Sequence, residues 1–254
     1  MKNLSTEIST WLKQYSKNSP TECFVIGVSG GIDSALASTL CAETGIKTYV
    51  IDIPIKSSKK NTNLSELHCT WLSEKYKNVK KIYIDASEPF SAFEEMINWQ
   101  GYSSKLASAN SKSRMRMMLL YHIATCKKGL VVGTGNKVED FGVGFYTKYG
   151  DGGVDISPIA DLTKTQVRQL AESLGVNKKI LNAPPTDGLW ADGRTDESQI
   201  GATYEELEWA MSYIDSENNQ DLSERQQEVL NIYNSFHSKN KHKMLPIPVF
   251  KLGE

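Results

Sequence analysis

Residues 24 to 40 read FVIGVSGGIDSALASTL, an apolar run that passes through paired glycines straight into an apolar helix. A run so continuous suits a strand buried on both faces of a parallel sheet. A turn this tight leaves free backbone N–H groups at a helix N-terminus, where the dipole favours an anion. Gly30 and Gly31 let the main chain approach such an anion without interference from Cβ, and Ser29 and Ser34 add hydroxyl donors. A phosphate cradle is one reading of the turn; a plain glycine turn is the other.

The turn holds no lysine, so it is not the GxxxxGK[ST] loop that reaches the β- and γ-phosphates of a nucleotide. The dinucleotide fingerprint GxGxxG is also missing. Asp33 stands at the helix start instead. A carboxylate beside a bound phosphate is repulsive unless a cation lies between them, which implies Mg²⁺. An aspartate that only caps the helix is the alternative.

Elsewhere, KTYVIDI (47–53), KKIYIDA (80–86) and GLVVGTG (129–135) read as further strands. Helices are expected over 4–16, 33–44, 60–77, 88–98 and 106–127, alternating with those strands. That order predicts a parallel sheet covered on both faces. Two glycine-rich or polar stretches, from Gly133 to Leu162 and from Leu181 to Leu207, are too long for ordinary connections and point to function. Thr163 caps a helix that ends at Gly175. No repeat or linker interrupts residues 1–254, which are expected to form a single domain.

A formal net charge of −1 supplies no bulk field for nucleic acid or a membrane surface, so anion binding must come from local geometry. The four cysteines form no CxxC pair and have no metal spacing, which disfavours zinc and redox chemistry and suits a reducing cytoplasm. The first residues lack an apolar signal core, and no run reaches membrane-spanning length.

SGGIDS resembles the pyrophosphate-binding PP-loop of ATP pyrophosphatases, which cleave ATP between the α- and β-phosphates. Several synthetases and tRNA-modifying enzymes share that loop. The later blocks GTGNKVEDFGVGFYTKYGDGGVDISPIADLTKTQVRQLA, PPTDGLW and TDESQIGATYEEL, in that order, resemble the ammonia-dependent NAD synthetase family over most of the chain. The resemblance implies an α/β fold of the adenine nucleotide alpha hydrolase-like, Rossmann-like kind: a doubly wound parallel five-stranded sheet with helices on both faces. It also implies a cytoplasmic homodimer without a glutaminase domain. The implied reaction is ATP-dependent amidation of deamido-NAD by free ammonia through an adenylate, releasing AMP and pyrophosphate.

Carried over residue by residue, the resemblance assigns Gly27, Val28, Ser29, Gly30, Gly31, Ile32, Asp33 and Ser34 to ATP, with Thr134, Lys164 and Thr186. Asp33 and Glu139 match the Mg²⁺ carboxylates. Arg114, Lys148, Asp155, His242 and Lys243 match contacts to deamido-NAD. Asp33, Glu139 and Lys164 form the implied catalytic set.

Read without the resemblance, Glu139 is equally a solvated loop acid, and Arg114 an amphipathic edge. The tail around His242 and Lys243 is then an unstructured basic segment. Asn110 and Arg114 share a helical face, and Arg116 is expected to point the other way. Two departures from the family pattern stand out. The segment from Glu139 to Lys148 is one residue longer than the commonest form, and KSSKKN replaces Tyr-Gly and a later glutamine after the second strand, leaving the adenine contacts open. The Met- and Leu-rich helix over 106–127 suits either a dimer face or the core. A tRNA-modifying relative would need a basic patch or catalytic cysteines. A non-catalytic nucleotide-binding module would bind without turnover.

Overall fold

Alternation along β1 (Cys23–Gly27) sends Phe24 and Ile26 to one face of the sheet and Cys23 and Val25 to the other, and all four are buried. Both faces are therefore covered, as the unbroken apolar run requires. The computed structural model describes residues 2–56, 59–185, 195–216 and 221–252. β2 (Lys47–Asp52) and β4 (Gly129–Val131) flank β1, and β3 (Val79–Tyr83) lies outside β2, all in parallel register.

The described residues form four strands in the order β3-β2-β1-β4. The expected fifth position is reduced to one parallel bridge, Val132 to Ile156. Two backbone bonds hold the chain at that bridge, Asp155 N to Val131 O at 2.9 Å and Gly133 N to Ile156 O at 2.8 Å, and beyond Gly133 the described chain forms no further ladder there. The expected strand over 129–135 is shortened for the same reason.

One layer of helices, α1 (Lys2–Asn18), α2 (Ile32–Glu43), α3 (Lys59–Lys75) and α6 (Lys164–Ser173), packs around Phe24, Ile26, Leu36, Leu72 and Leu170. The other layer, α4 (Ser87–Trp99) and α5 (Lys105–Lys127), covers Val25, Tyr49, Ile51 and Val131. A separate apolar cluster joins a π-helix over Lys137–Val143 to α9 (Tyr204–Asp215) and α10 (Glu224–Met244). Short helices α7 (Lys178–Leu181) and α8 (Asp196–Ile200) complete the described chain.

From β1 the chain builds outward to β2 and β3, then returns to place β4 on the opposite side of β1. The strand order reverses between β1 and β4, and in open α/β sheets a crevice forms outside the carboxyl ends at that point.

Candidate functional site

A cavity of 690 Å³ opens at this reversal, and Gly27 through Ser34 all line it. Gly30 has φ 85°, a left-handed conformation that glycine adopts without cost. The loop is pre-organised from within: Ser29 N donates to Ser34 Oγ at 3.2 Å, and Gly31 N to Ser29 Oγ at 3.3 Å. Those hydroxyls hold the turn open over the N-terminus of α2, where an anion is favoured.

Asp33, in the first turn of α2, meets two partners from distant parts of the chain. Its Oδ1 accepts from Asn136 Nδ2 at 3.0 Å and its Oδ2 from Lys164 Nζ at 2.6 Å. Lys164 also donates to Glu139 Oε1 at 2.7 Å, so one buried ammonium joins both carboxylates. Lys164 opens α6 behind a capping box in which Thr163 and Gln166 bond reciprocally, which fixes where the lysine enters.

Asn136 caps the π-helix, its Oδ1 accepting from Val138 N and Glu139 N at 3.1 Å each. The same side chain thus sets the start of the helix carrying Glu139 and steadies Asp33. Tyr204 OH donates to Glu139 Oε1 and, at 3.2 Å, to Asp196 Oδ2, while Lys164 Nζ lies 4.6 Å from the Tyr204 ring centre. Asn136 and Tyr204, which hold the two carboxylates, are residues that sequence reading did not single out. Asn136 stood inside the quoted GTGNKVED block, and Tyr204 follows the Thr203 cap of a T-x-x-E box, a signal of helix start only.

Burial alone would lower the Lys164 pKa, but the two carboxylates outweigh it and hold the ammonium charged. Burial pushes Asp33 upward, with the Glu139 charge adding to it against the pull of Lys164. Glu139 is also raised by burial, yet Lys164, Tyr204 and Asn136 together bring it below the usual range. The two carboxylates share one cation, so their affinities for protons separate.

Among the described residues no group of three or more His, Cys, Asp or Glu side chains converges as a metal cage. Two carboxylates do converge, on the position now held by the Lys164 ammonium. That donor set fits Mg²⁺, which takes one or two protein carboxylates and fills its remaining positions with water and substrate phosphate oxygens.

The substrate residues expected from sequence divide. Arg114, Lys148, His242 and Lys243 all line the cavity, as do Thr134 and Asn110. Arg114 Nε donates to Lys148 O at 3.3 Å, and Lys148 Nζ to His242 O at 2.7 Å. Lys243 Nζ donates to the carbonyls of Gly144 and Tyr146. The end of α10 is thus fastened to the 142–148 segment rather than loose.

Asp155 stands apart from the residues lining the cavity. Its Oδ2 accepts from Val131 N at 2.8 Å and its Oδ1 from Tyr121 OH at 2.9 Å, at the sheet edge facing α5. Thr186 lies outside the described residues. Arg116, expected to face away from Arg114, lines the same cavity. The cavity wraps round α5, and Arg116 Nε reaches the Ile53 carbonyl at 3.0 Å on the β2 side.

Two further acids sit in the wall. Ser113 Oγ donates to Asp151 Oδ1 at 2.7 Å, pinning the 147–153 turn to α5. Asp140 closes over Gly135, where a Cβ would fall 1.8 Å from its Oδ2.

Residues 4–246 match the NAD synthase family. The chain belongs to the NAD synthase family. Among its relatives, the NH₃-dependent NAD⁺ synthetase of Sulfurisphaera tokodaii is 34% identical, over 95% of this chain and 86% of that one. The enzyme of the same name from Syntrophomonas wolfei is 39% identical, over 78% and 79%. In three dimensions this NAD synthase family member superposes on the NMN synthetase of Francisella tularensis with a TM-score of 0.87, at 32% identity, over 99% of this chain and 98% of that one.

Proposed function

We propose that this chain amidates the nicotinate carboxylate of deamido-NAD with ammonia, consuming ATP and releasing AMP and pyrophosphate. The observation that carries the reading is the Lys164 ammonium bridging Asp33 and Glu139 directly beside the amide-lined turn at the strand reversal. An amide nest grips the pyrophosphate end of ATP, and the buried cation stands where charge develops as the β-phosphate departs. The nicotinate oxygen attacks the α-phosphorus and pyrophosphate leaves. Ammonia then attacks the acyl carbon, the C–O bond to AMP breaks, and the nitrogen gives up one proton to solvent to leave the amide.

In this reading Asp33 and Glu139 would hold Mg²⁺, which when bound would neutralise charge on phosphoryl oxygens. Lys164, held between the two acids, presents its ammonium to the departing phosphate. Thr134 and Thr186 complete the ATP site. Arg114, Lys148, His242 and Lys243 hold the nicotinate substrate within the cavity, and Asp155 is the fifth contact that the resemblance assigns to it. The whole chain acts as one domain on free ammonia.

Exposed apolar side chains on α4, the α4–α5 turn and α5 support a homodimer through that face: Trp99 is 88% exposed, Tyr102 76% and Leu106 62%. Three of the four cysteines are buried and all are free, and no described helix is long and apolar enough to cross a membrane. The free thiols agree with a cytoplasmic enzyme.

The test is incubation with ATP, Mg²⁺, deamido-NAD and ammonium, with AMP and NAD measured together. Equal yields of the two support the proposal, and absence of AMP release refutes it.

A second reading has its own support. The NMN synthetase of Francisella tularensis, which matches this chain end to end, is named for a mononucleotide product. Four of the five substrate residues line the cavity, while Asp155 lies outside it. A nicotinate mononucleotide, the smaller substrate, would be held by those four within the cavity. Ranking kcat/KM for nicotinate mononucleotide against deamido-NAD decides between them.

A further inference from the structure

Asp52 is the last residue of β2 and lies one strand away from the start of the glycine turn. In the parallel register Gly27 faces Ile51, and Val28 N donates to Ile51 O at 2.9 Å, so Asp52 comes level with the turn's first residues. Adjacent strands stand about 4.8 Å apart, the scale of the step from an α-phosphate to its sugar.

The Asp52 side chain is 6% exposed and lines the cavity, yet its Oδ2 has no hydrogen-bond partner among the described residues. Ser65 of α3 hydrogen-bonds the same carboxylate, and the Arg116 charge acts on it from beside the neighbouring Ile53 carbonyl. Arg116 does not bond that oxygen; its Nε is spent on the Ile53 carbonyl. A buried carboxylate oxygen without a donor is costly, and the cost is recovered when a ligand supplies one.

The ligand's contribution there must be a donor, because a carboxylate accepts hydrogen bonds and repels phosphate. Of the groups on ATP, ribose hydroxyls are the neutral donors nearest the α-phosphate. In dinucleotide-binding βαβ units an acid at the end of the second strand performs this task, although the GxGxxG loop that accompanies it is missing from this chain.

We propose that Asp52 is the residue that recognises the ATP ribose, its Oδ2 accepting from the 2′- or 3′-hydroxyl, and that it thereby sets nucleotide orientation and ribose specificity. The proposal rests on the ATP reading above. It places the sugar on the β2 side of the turn and the reacting phosphates on the β4 side, with Lys164 and Glu139.

The test is calorimetric titration of the full chain with ATP, 2′-deoxy-ATP, 3′-deoxy-ATP and purine riboside triphosphate, which lacks the 6-amino group. In the wild type, at least one deoxy analogue binds about tenfold or more weakly than ATP, as expected for a lost hydrogen bond to a charged acceptor. Asp52→Ala binds ATP about tenfold more weakly and treats ATP and that analogue alike, and the shape-conserving Asp52→Asn lies between.

Equal ATP binding by the wild type and both variants overturns the assignment, as does Asp52→Ala that still discriminates against the deoxy sugar. If the variants lose discrimination only against purine riboside triphosphate, the carboxylate faces the base and the ribose assignment is wrong. Absence of ATP binding by the wild type sinks the ATP reading itself. Normal ATP binding and turnover with ribose discrimination untouched by mutation sinks this proposal alone.

Discussion

Lys164 Nζ lies 2.6 Å from Asp33 Oδ2, 131 positions away in the chain, with the lysine side chain only 5% exposed. Lys164→Met leaves Asp33 and Glu139 facing each other without a cation. Removing one partner of a buried ionic group costs about 3–5 kcal/mol, which urea unfolding would register. Adding Asp33→Asn to that variant recovers part of the stability. Amidation in Lys164→Met falls about 100-fold or more, because a preorganised charge is lost from the transition state.

Tyr204→Phe keeps the ring beside the Lys164 ammonium but removes the hydroxyl that holds Glu139. The expected result is a fall in kcat of about tenfold, equivalent to about 1.4 kcal/mol of barrier, with ATP binding nearly unchanged. Steady-state kinetics with ATP varied separates the two. A rise in KM for ATP at constant kcat would contradict the positioning role.

His68 is wholly buried with Nε2 3.0 Å from Ser38 Oγ, and burial lowers its pKa from the ordinary 6.5 to about 4. Between these values the unfolded chain binds a proton that the folded chain refuses. The contribution of neutral His68 is therefore complete above pH 6.5 and lost as the pH falls toward 4. The slope approaches about 1.4 kcal/mol per pH unit. Unfolding free energy measured across this window should fall less steeply in His68→Gln than in the wild type.

Lys243 spends its ammonium on the carbonyls of Gly144 and Tyr146. In Lys243→Met, amide exchange over 142–148 accelerates, and KM for the nicotinate substrate rises with little change in ATP affinity. Hydrogen exchange followed by mass spectrometry reads the first effect, and kinetics the second.

Charges placed on the exposed α4–α5 face should prevent self-association. The double variant Trp99→Asp, Leu106→Asp is expected to sediment at half the mass of the wild type. Its thermal stability as a monomer would show that these side chains do not support the core.

The glycine turn and its helix were legible from sequence because their causes are local: a buried apolar run, paired glycines and a helix start within a few residues. The motif block around Glu139 likewise contains residues that line the cavity. Asn136 and Tyr204 were not legible. Asn136 meets Asp33 across 103 positions, and Tyr204 meets Glu139 across 65, so no local pattern encodes either bond. Arg116 was misjudged because helical geometry gives the angle between side chains but not the curvature of the cavity they enter. The strand after α5 was drawn too long because an apolar run cannot reveal where its hydrogen-bonding neighbour ends.

Glu139 rides on a π-helix of seven residues, Lys137–Val143, wound more widely than an α-helix. Excise Val138 and the segment relaxes to ordinary pitch, each position past the cut turning by roughly 100°. Every charged group would survive such an edit while the acid swung out of reach of its ammonium. At this centre, catalysis is guarded by counting as much as by composition.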